Sequence, residues 1–362
     1  MAKDIEVPVN DKGKKPTMKK NFSLNDYKKK IGGEDVSDKP LRWIPASKAL
    51  QSSTGLPGFP MGYVSLARGF SNTGKSTAVC EAIVSAQKMG ILPVIIDTEN
   101  NLGNERLSKM GFDWNGDYIL VDNDFLLQKF GKLQDKNRKE ASIEDMAECM
   151  FYFLDQQEAG ELPYDLLFAI DSLGTLDCIK SINAQEKNTS DNNMWNAGAF
   201  EKAFKYMLNN TIPNSRKENK KYTNTVVGVQ KIWIDSMGAG VVKHKGGETF
   251  FYGSRLIYHF GGIAAHGSRI VSATSKTREV AYGIETKVSA AKNQIDGPLG
   301  GISMEGRIVS TPHGFILPDG TDEYKKEHLL FFRNALGTDI DLNDLMDKYV
   351  EIKNDDSFEL GN

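Results

Sequence analysis

Gly69-Phe70-Ser71-Asn72-Thr73-Gly74-Lys75-Ser76 sets two glycines with four residues between them, followed at once by a lysine and a hydroxyl. This spacing suits a polyphosphate. Where such a loop opens a helix, its backbone N–H groups carry partial positive charge, and the glycines let the chain curl around a β-phosphate. Lys75 adds a full charge toward the β- and γ-phosphates, and the Ser76 hydroxyl is placed to ligate Mg²⁺. The nucleotide-binding set read from these residues runs from Gly69 through Thr77.

Carboxylates at strand ends supply the rest of a hydrolytic site. The apolar run Leu166–Ile170 ends in Asp171, which beside the phosphate loop of a parallel sheet would hold Mg²⁺ directly or through water. Asp97-Thr98-Glu99 closes the run Ile91–Ile96. A carboxylate there can polarise a water for in-line attack, the task of a general base. Glu99 is read as that base and Asp97 as structural support; the competing reading is an acid that caps the helix Asn104–Met110. Gln230 ends the run Thr225–Val229, where an amide can sense a γ-phosphate and pass its presence to the loop that follows. A plain surface glutamine is the alternative.

These groups need a sheet to bring them together, and the pattern provides one. Strands are expected at Tyr63–Ala67, Ile91–Ile96, Asp165–Ile170 and Thr225–Val229. Helices are expected at Lys75–Lys88, Ser142–Gln157 and Ala199–Leu208. In the second of these, Ile143, Met146, Ala147, Met150, Phe151 and Leu154 recur at the spacing of one helix face, with Glu144, Asp145 and Glu148 off it. From Arg255 the strand candidates Leu256–Phe260, Ile270–Thr274, Thr286–Ala291 and Arg307–Ser310 follow without helices between them. Alternating strands and helices, then strands alone, predict an α/β fold. Its central sheet is mostly parallel and flanked by helices, with antiparallel strands added at one side. Three parts are expected: a basic leader with a short helix over 1–40, a core over 41–300, and a small segment with an acidic tail over 301–362.

Composition bounds the function. With 40% hydrophobic residues among 362, the chain can bury a sizeable core. A formal charge of −3 excludes a wholly basic nucleic-acid coat, yet leaves room for a local cationic strip. Cys80, Cys149 and Cys178 are widely spaced and fit reduced thiols, neither a disulfide frame nor a zinc site. No long apolar run and no secretory leader is present, so a cytoplasmic protein with no membrane partner is expected.

The order of these parts resembles the RecA family of DNA strand-exchange recombinases, its bacteriophage UvsX-like members in particular. The resemblance runs from about Gly55 to Gly297. It is carried by the phosphate loop, Asp97-Thr98-Glu99, Ile170-Asp171-Ser172-Leu173-Gly174, Gln230 and Gly246-Gly247. Gly58-Phe59-Pro60-Met61-Gly62 and Leu107-Ser108-Lys109-Met110-Gly111-Phe112-Asp113 add to it. It implies a RecA-like phosphate-loop NTPase core, ATP and Mg²⁺ as cofactors, and ATP hydrolysis dependent on DNA. Single-stranded DNA and homologous duplex would be its partners, in a helical homo-oligomeric filament, with mediator and single-strand-binding proteins alongside. If the chain is viral, the compartment would be the host cytoplasm.

By position the resemblance makes Glu99 the water-activating acid and Gln230 the amide that couples ATP to a second DNA-binding loop, Ile232–Thr249. The first such loop would be Ile182–Asn196. Within the second, Lys243, His244 and Lys245 would meet the phosphate backbone, with Gly246 and Gly247 closing the turn. Met237, Val241 and Val242 would wedge between stretched base steps. Trp195 and Phe200 are read as core residues. ATP would lie between protomers, with Lys292 reaching a neighbour's phosphates; Gln294 stands at the second such position, where a cation is usual. Arg106 occupies a place where relatives carry an aromatic that stacks on adenine, and a guanidinium can stack as well. Two rivals share the core: a hexameric DNA helicase, and a nucleotide-switched regulator or loader.

Overall fold

The structure is a computed structural model, and it describes residues 23–30, 36–131, 138–187, 193–234, 242–244, 247–262, 268–275, 278–295 and 304–318. Met1–Asp38 and Lys39–Asn362 form two separate units. In the first, helix α1 (Leu24–Lys30) starts where the Ser23 hydroxyl accepts the Asp26 N–H at 3.2 Å.

The second unit opens with a small ribbon of β1 (Trp43–Pro45) and β2 (Gly58–Pro60), joined through α2 (Lys48–Thr54). Next comes β3 (Val64–Gly69), then α3 (Lys75–Lys88), β4 (Leu92–Asp97), α4 (Asn104–Lys109), β5 (Ile119–Val121), α5 (Asn123–Lys129) and α6 (Ile143–Glu158). They are followed by β6 (Leu166–Asp171), α7 (Ile179–Glu186) and α8 (Asn193–Tyr206), a π-helical turn Met207–Thr211, α9 (Ile212–Asn214) and β7 (Asn224–Ile234). The chain continues through β8 (Val242–His244), α10 (Gly247–Gly253), β9 (Leu256–Phe260), β10 (Ser268–Ser275), β11 (Arg278–Asn293), β12 (Glu305–Thr311) and β13 (Gly314–Ile316).

One large sheet runs β13-β12-β11-β9-β3-β7-β6-β4-β5, with β10 on β11 and β8 on β7. From β5 to β9 the neighbours are parallel; β11, β12 and β13 add antiparallel strands on the β9 side. The α/β architecture expected from the pattern is the one observed. Its strands are buried on both faces, which is why Leu166–Ile170 reads as an unbroken apolar run. Side chains alternate between two cores: Leu167, Ala169 and Ile95 join one with Val79 and Ile83 of α3, while Leu166, Phe168, Ile170, Val94 and Ile96 join the other with Met146 and Met150 of α6. α6 begins at a capping box, Ser142 with Asp145.

Four expectations need correction. Asp145, placed off the apolar face, is 1% exposed, because it caps α6 and pairs with the buried Arg138 guanidinium at 2.5 Å. β11 is far longer than Thr286–Ala291, since it carries β9, β10 and β12 on its two edges. β7 does not stop at Val229 but continues to Ile234, where β8 pairs with it: Ile232 with His244, Trp233 with Lys243, Ile234 with Val242. Finally, the stretch read as a first loop, Ile182–Asn196, is helical at both ends, in α7 and in α8. The acidic tail lies outside the described residues.

Candidate functional site

The candidate phosphate loop joins β3 to α3. Gly69 ends β3, and a Cβ there would lie 2.2 Å from the Phe260 carbonyl oxygen and 3.0 Å from Thr73 Oγ1, so no larger residue fits. Gly74 precedes α3 at φ 96° and Asn72 sits at φ 57°, both in the left-handed region. The Thr73 hydroxyl donates to the Phe70 carbonyl at 2.9 Å and tightens the turn. Lys75 is 4% exposed, and its ammonium donates to that same Phe70 carbonyl. Burial pushes its pKa down to about 8 against the pull of the Asp171 charge, so it still carries its proton at neutral pH. Ser71, an exposed residue, and Ser76 complete the loop.

Asp171 ends β6, in register with Asp97 at the end of β4. β7 lies between β3 and β6 in the sheet. Ser76 bridges the distance with a side-chain hydrogen bond to Asp171. The Asp171 carboxyl is 1% exposed, and its Oδ2 finds no hydrogen-bond partner among the described residues. Burial pushes its pKa up to about 6, with the Ser76 hydrogen bond opposing and the Glu99 and Asp97 charges adding. A buried carboxylate oxygen without a donor, beside a hydroxyl at a helix start, fits a hard cation shared with a polyphosphate. Among the described residues no group of three or more His, Cys, Asp and Glu gathers to hold a metal unaided.

Asp97 serves its own loop, taking the Asn101 N–H at 3.1 Å and the Leu102 N–H at 2.9 Å. Glu99 does not cap; its carboxylate faces the carboxyl ends of β6 and β7. It accepts from Lys231 Nζ and from Asn101 Nδ2, each at 2.7 Å, from Thr175 Oγ1 at 3.0 Å and from the Ser172 hydroxyl. Burial works to raise its pKa, but the hydrogen bonds from Lys231, Ser172 and Thr175 hold it below the ordinary carboxylate value. Gln230 is fully buried on β7 rather than at a surface, in register with Arg68 of β3.

Other expected site residues are engaged elsewhere. The Thr77 hydroxyl lies 2.6 Å from that of Ser310 and accepts from Arg106 Nη2 at 2.5 Å, so Arg106 is turned onto α3. Lys292 donates to the Phe251 and Tyr252 carbonyls at 2.9 and 3.3 Å, at the end of α10, and lies 5.4 Å from the centre of the Phe251 ring. Gln294 accepts from Arg255 Nη1 at 2.9 Å, which brings a cation to that position from β9's approach.

Of the residues read as a DNA-binding loop, Val242, Lys243 and His244 form β8, Gly247 starts α10, and Lys243 is exposed. Met237, Val241, Lys245 and Gly246 lie outside the described residues. Phe200 is buried in the core, with Trp195 packed against it. The sequence reading missed Lys231 and Thr175 beside Glu99, and Trp233, which is 41% exposed opposite Lys243. A strand extended by three residues past Gln230 would have pointed to Lys231 and Trp233 together; nothing local marks Thr175.

Strand order, phosphate loop and carboxylate-tipped strands define an α/β phosphate-loop fold with its site at the carboxyl ends of the parallel strands. No protein-family model matches the chain. Curated relatives do. Protein RecA of Aquifex aeolicus is 37% identical over 104 residues, 27% of this chain and 30% of that protein. Protein RecA of Thermotoga petrophila is 34% identical over 84 residues and aligns with this chain over 24% of its own length. Protein RecA of Frankia alni is 25% identical over 301 residues, 80% of this chain and 75% of that protein. The fold is a RecA-like core, and the chain is distantly similar to RecA proteins.

Proposed function

We propose that the chain is an ATP-dependent DNA recombinase, of the bacteriophage UvsX-like kind, that assembles on single-stranded DNA and pairs it with homologous duplex. One observation carries the reading. A single strand, β7, runs from the buried Gln230 and the Glu99 partner Lys231 straight into a hairpin bearing exposed Trp233 and Lys243. The same rigid element therefore touches the candidate hydrolytic centre and a surface suited to unpaired bases, with an aromatic to stack and a cation for phosphate.

In this reading the loop N–H groups from Gly69 to Thr77 cradle the phosphates, and Lys75 neutralises charge at the β- and γ-positions. Ser76 and Asp171 would hold Mg²⁺, which when bound supplies charge stabilisation on the phosphate oxygens. Glu99 takes the proton of the attacking water, and Gln230 relays the state of the γ-phosphate along β7. Lys292 and Arg106 belong to the nucleotide's surroundings only if neighbouring protomers rearrange their present contacts. Mediators, single-strand-binding proteins and a cytoplasmic setting complete the proposal; no helix among the described residues is long and apolar enough to cross a membrane.

The test is ATP turnover with and without single-stranded DNA, joined to negative-stain imaging of the same sample. Helical filaments with DNA-stimulated turnover are expected. Closed rings would favour the helicase, and turnover indifferent to DNA the regulator.

A further inference from the structure

Both carboxylate oxygens of Glu99 are already engaged by hydrogen-bond donors. A carboxylate offers about four lone-pair directions. Among the described residues four polar side chains face its two oxygens: the Ser172 and Thr175 hydroxyls at Oε1, the Asn101 amide and Lys231 ammonium at Oε2. A group so surrounded accepts no further proton donor, so one of the four must leave before it works as a base.

Three of them are uncharged. Asn101 lies two residues along Glu99's own loop, while Ser172 and Thr175 belong to the turn just after β6, where Ser172 is 2% exposed and locked to Thr98 at 3.1 Å. Lys231 differs from these three. It arrives from β7, its side chain is 37% exposed against 11% for Glu99, and it is the only one that carries charge. Residues two apart on a strand share a face, so Lys231 and Trp233 point to the same side of β7. Among the described residues, Lys75 of α3 and Asp171 of β6 act on both members of the pair, and Asp97 of β4 acts on Asp171.

We propose that Lys231 is a clamp on Glu99: the ion pair keeps the carboxylate occupied, and single-stranded nucleic acid seated on the Trp233–Lys243 hairpin draws Lys231 away and frees one Glu99 oxygen for water. Lys231 acts through Glu99 and is a positioning residue. The inference rests on the reading of Glu99 as the base of ATP hydrolysis and adds how that base is held in check.

The first measurement is ATP turnover with and without a thymidine oligonucleotide. Lys231→Met and Lys231→Gln are expected to raise the DNA-free rate at least about tenfold, the factor set by one charge-assisted hydrogen bond, and to shrink DNA stimulation equally. Lys231→Arg restores the clamp and keeps wild-type behaviour. The second measurement needs no turnover. Coupling is reciprocal, so Glu99→Gln should tighten binding of a fluorescent thymidine oligonucleotide, without nucleotide, in the wild-type background and not in Lys231→Met. An unchanged or slower DNA-free rate in Lys231→Met and Lys231→Gln, or an equal gain from Glu99→Gln in both backgrounds, overturns the clamp and leaves Glu99 as base. A wild-type chain that hydrolyses no ATP even with DNA overturns the reading beneath it, and the clamp with it.

Discussion

Thr77 on α3 and Ser310 on β12 meet hydroxyl to hydroxyl at 2.6 Å, and Arg106 of α4 donates to the same Thr77 oxygen at 2.5 Å. The first turn of the phosphate-loop helix is thereby fastened to the antiparallel side of the sheet and to the segment after Glu99. Thr77→Val removes both hydrogen bonds and strands a guanidinium whose Nε is already buried without a partner among the described residues. A loss of about 2–3 kcal/mol in denaturant-melt stability is expected. A loss within error would show that the three-way contact carries no stability.

Lys75→Ala and Glu99→Gln should separate binding from chemistry. Removing Lys75 abolishes nucleotide-dependent filaments, measured by calorimetry with ATP and by imaging. Glu99→Gln keeps nucleotide binding and filaments while turnover drops by about 10²–10⁴-fold, the usual worth of a general base. Normal hydrolysis by Glu99→Gln would remove it from that role.

Asp171 gives opposite signs in two assays. Its pKa is pushed from 3.8 up to about 6 by burial, so the ionised form costs the empty fold up to about 3 kcal/mol at neutral pH. Asp171→Asn should therefore raise the melting temperature of the nucleotide-free protein and weaken Mg²⁺-dependent nucleotide binding. A destabilised variant with unchanged affinity would mean that the carboxylate is structural.

On the hairpin, Trp233→Ala should weaken oligonucleotide binding by about 1–3 kcal/mol with little change in salt dependence, as for a lost base stack. Lys243→Ala should instead lower the slope of log affinity against log salt by about 1. Identical salt slopes in both variants would put the phosphate contact elsewhere.

His259 on β9 is 8% exposed, and burial holds its pKa below the ordinary histidine value. The unfolded chain then binds this proton more readily than the fold. Stability contributed by neutral His259 is intact above pH 6.5 and falls as pH drops from there toward the folded-state pKa. His259→Gln should flatten the melting-temperature decline between pH 7 and pH 5; an unaltered decline would assign it to other groups.

Local chemistry was legible in the sequence because it is written in neighbouring residues. The glycines, Lys75 and Ser76 mark a candidate phosphate loop, and the apolar runs ending at Asp97 and Asp171 mark buried parallel strands. Helix α6 shows its face and its cap within one turn. What joins distant residues was not legible there. Lys231 meets Glu99 across 132 positions, and Ser310 meets Thr77 across 233, because the order of strands in the sheet decides which ends are adjacent. Polar Gln230 and Lys231 give no local sign that β7 goes on; pairing with β3 holds these two in the strand, and β8 carries it from Ile232 to Ile234. Residue types thus marked a candidate nucleotide-binding loop and two acidic strand tips, whereas packing alone decided that a lysine from a third strand pairs with Glu99, the acid proposed as the base.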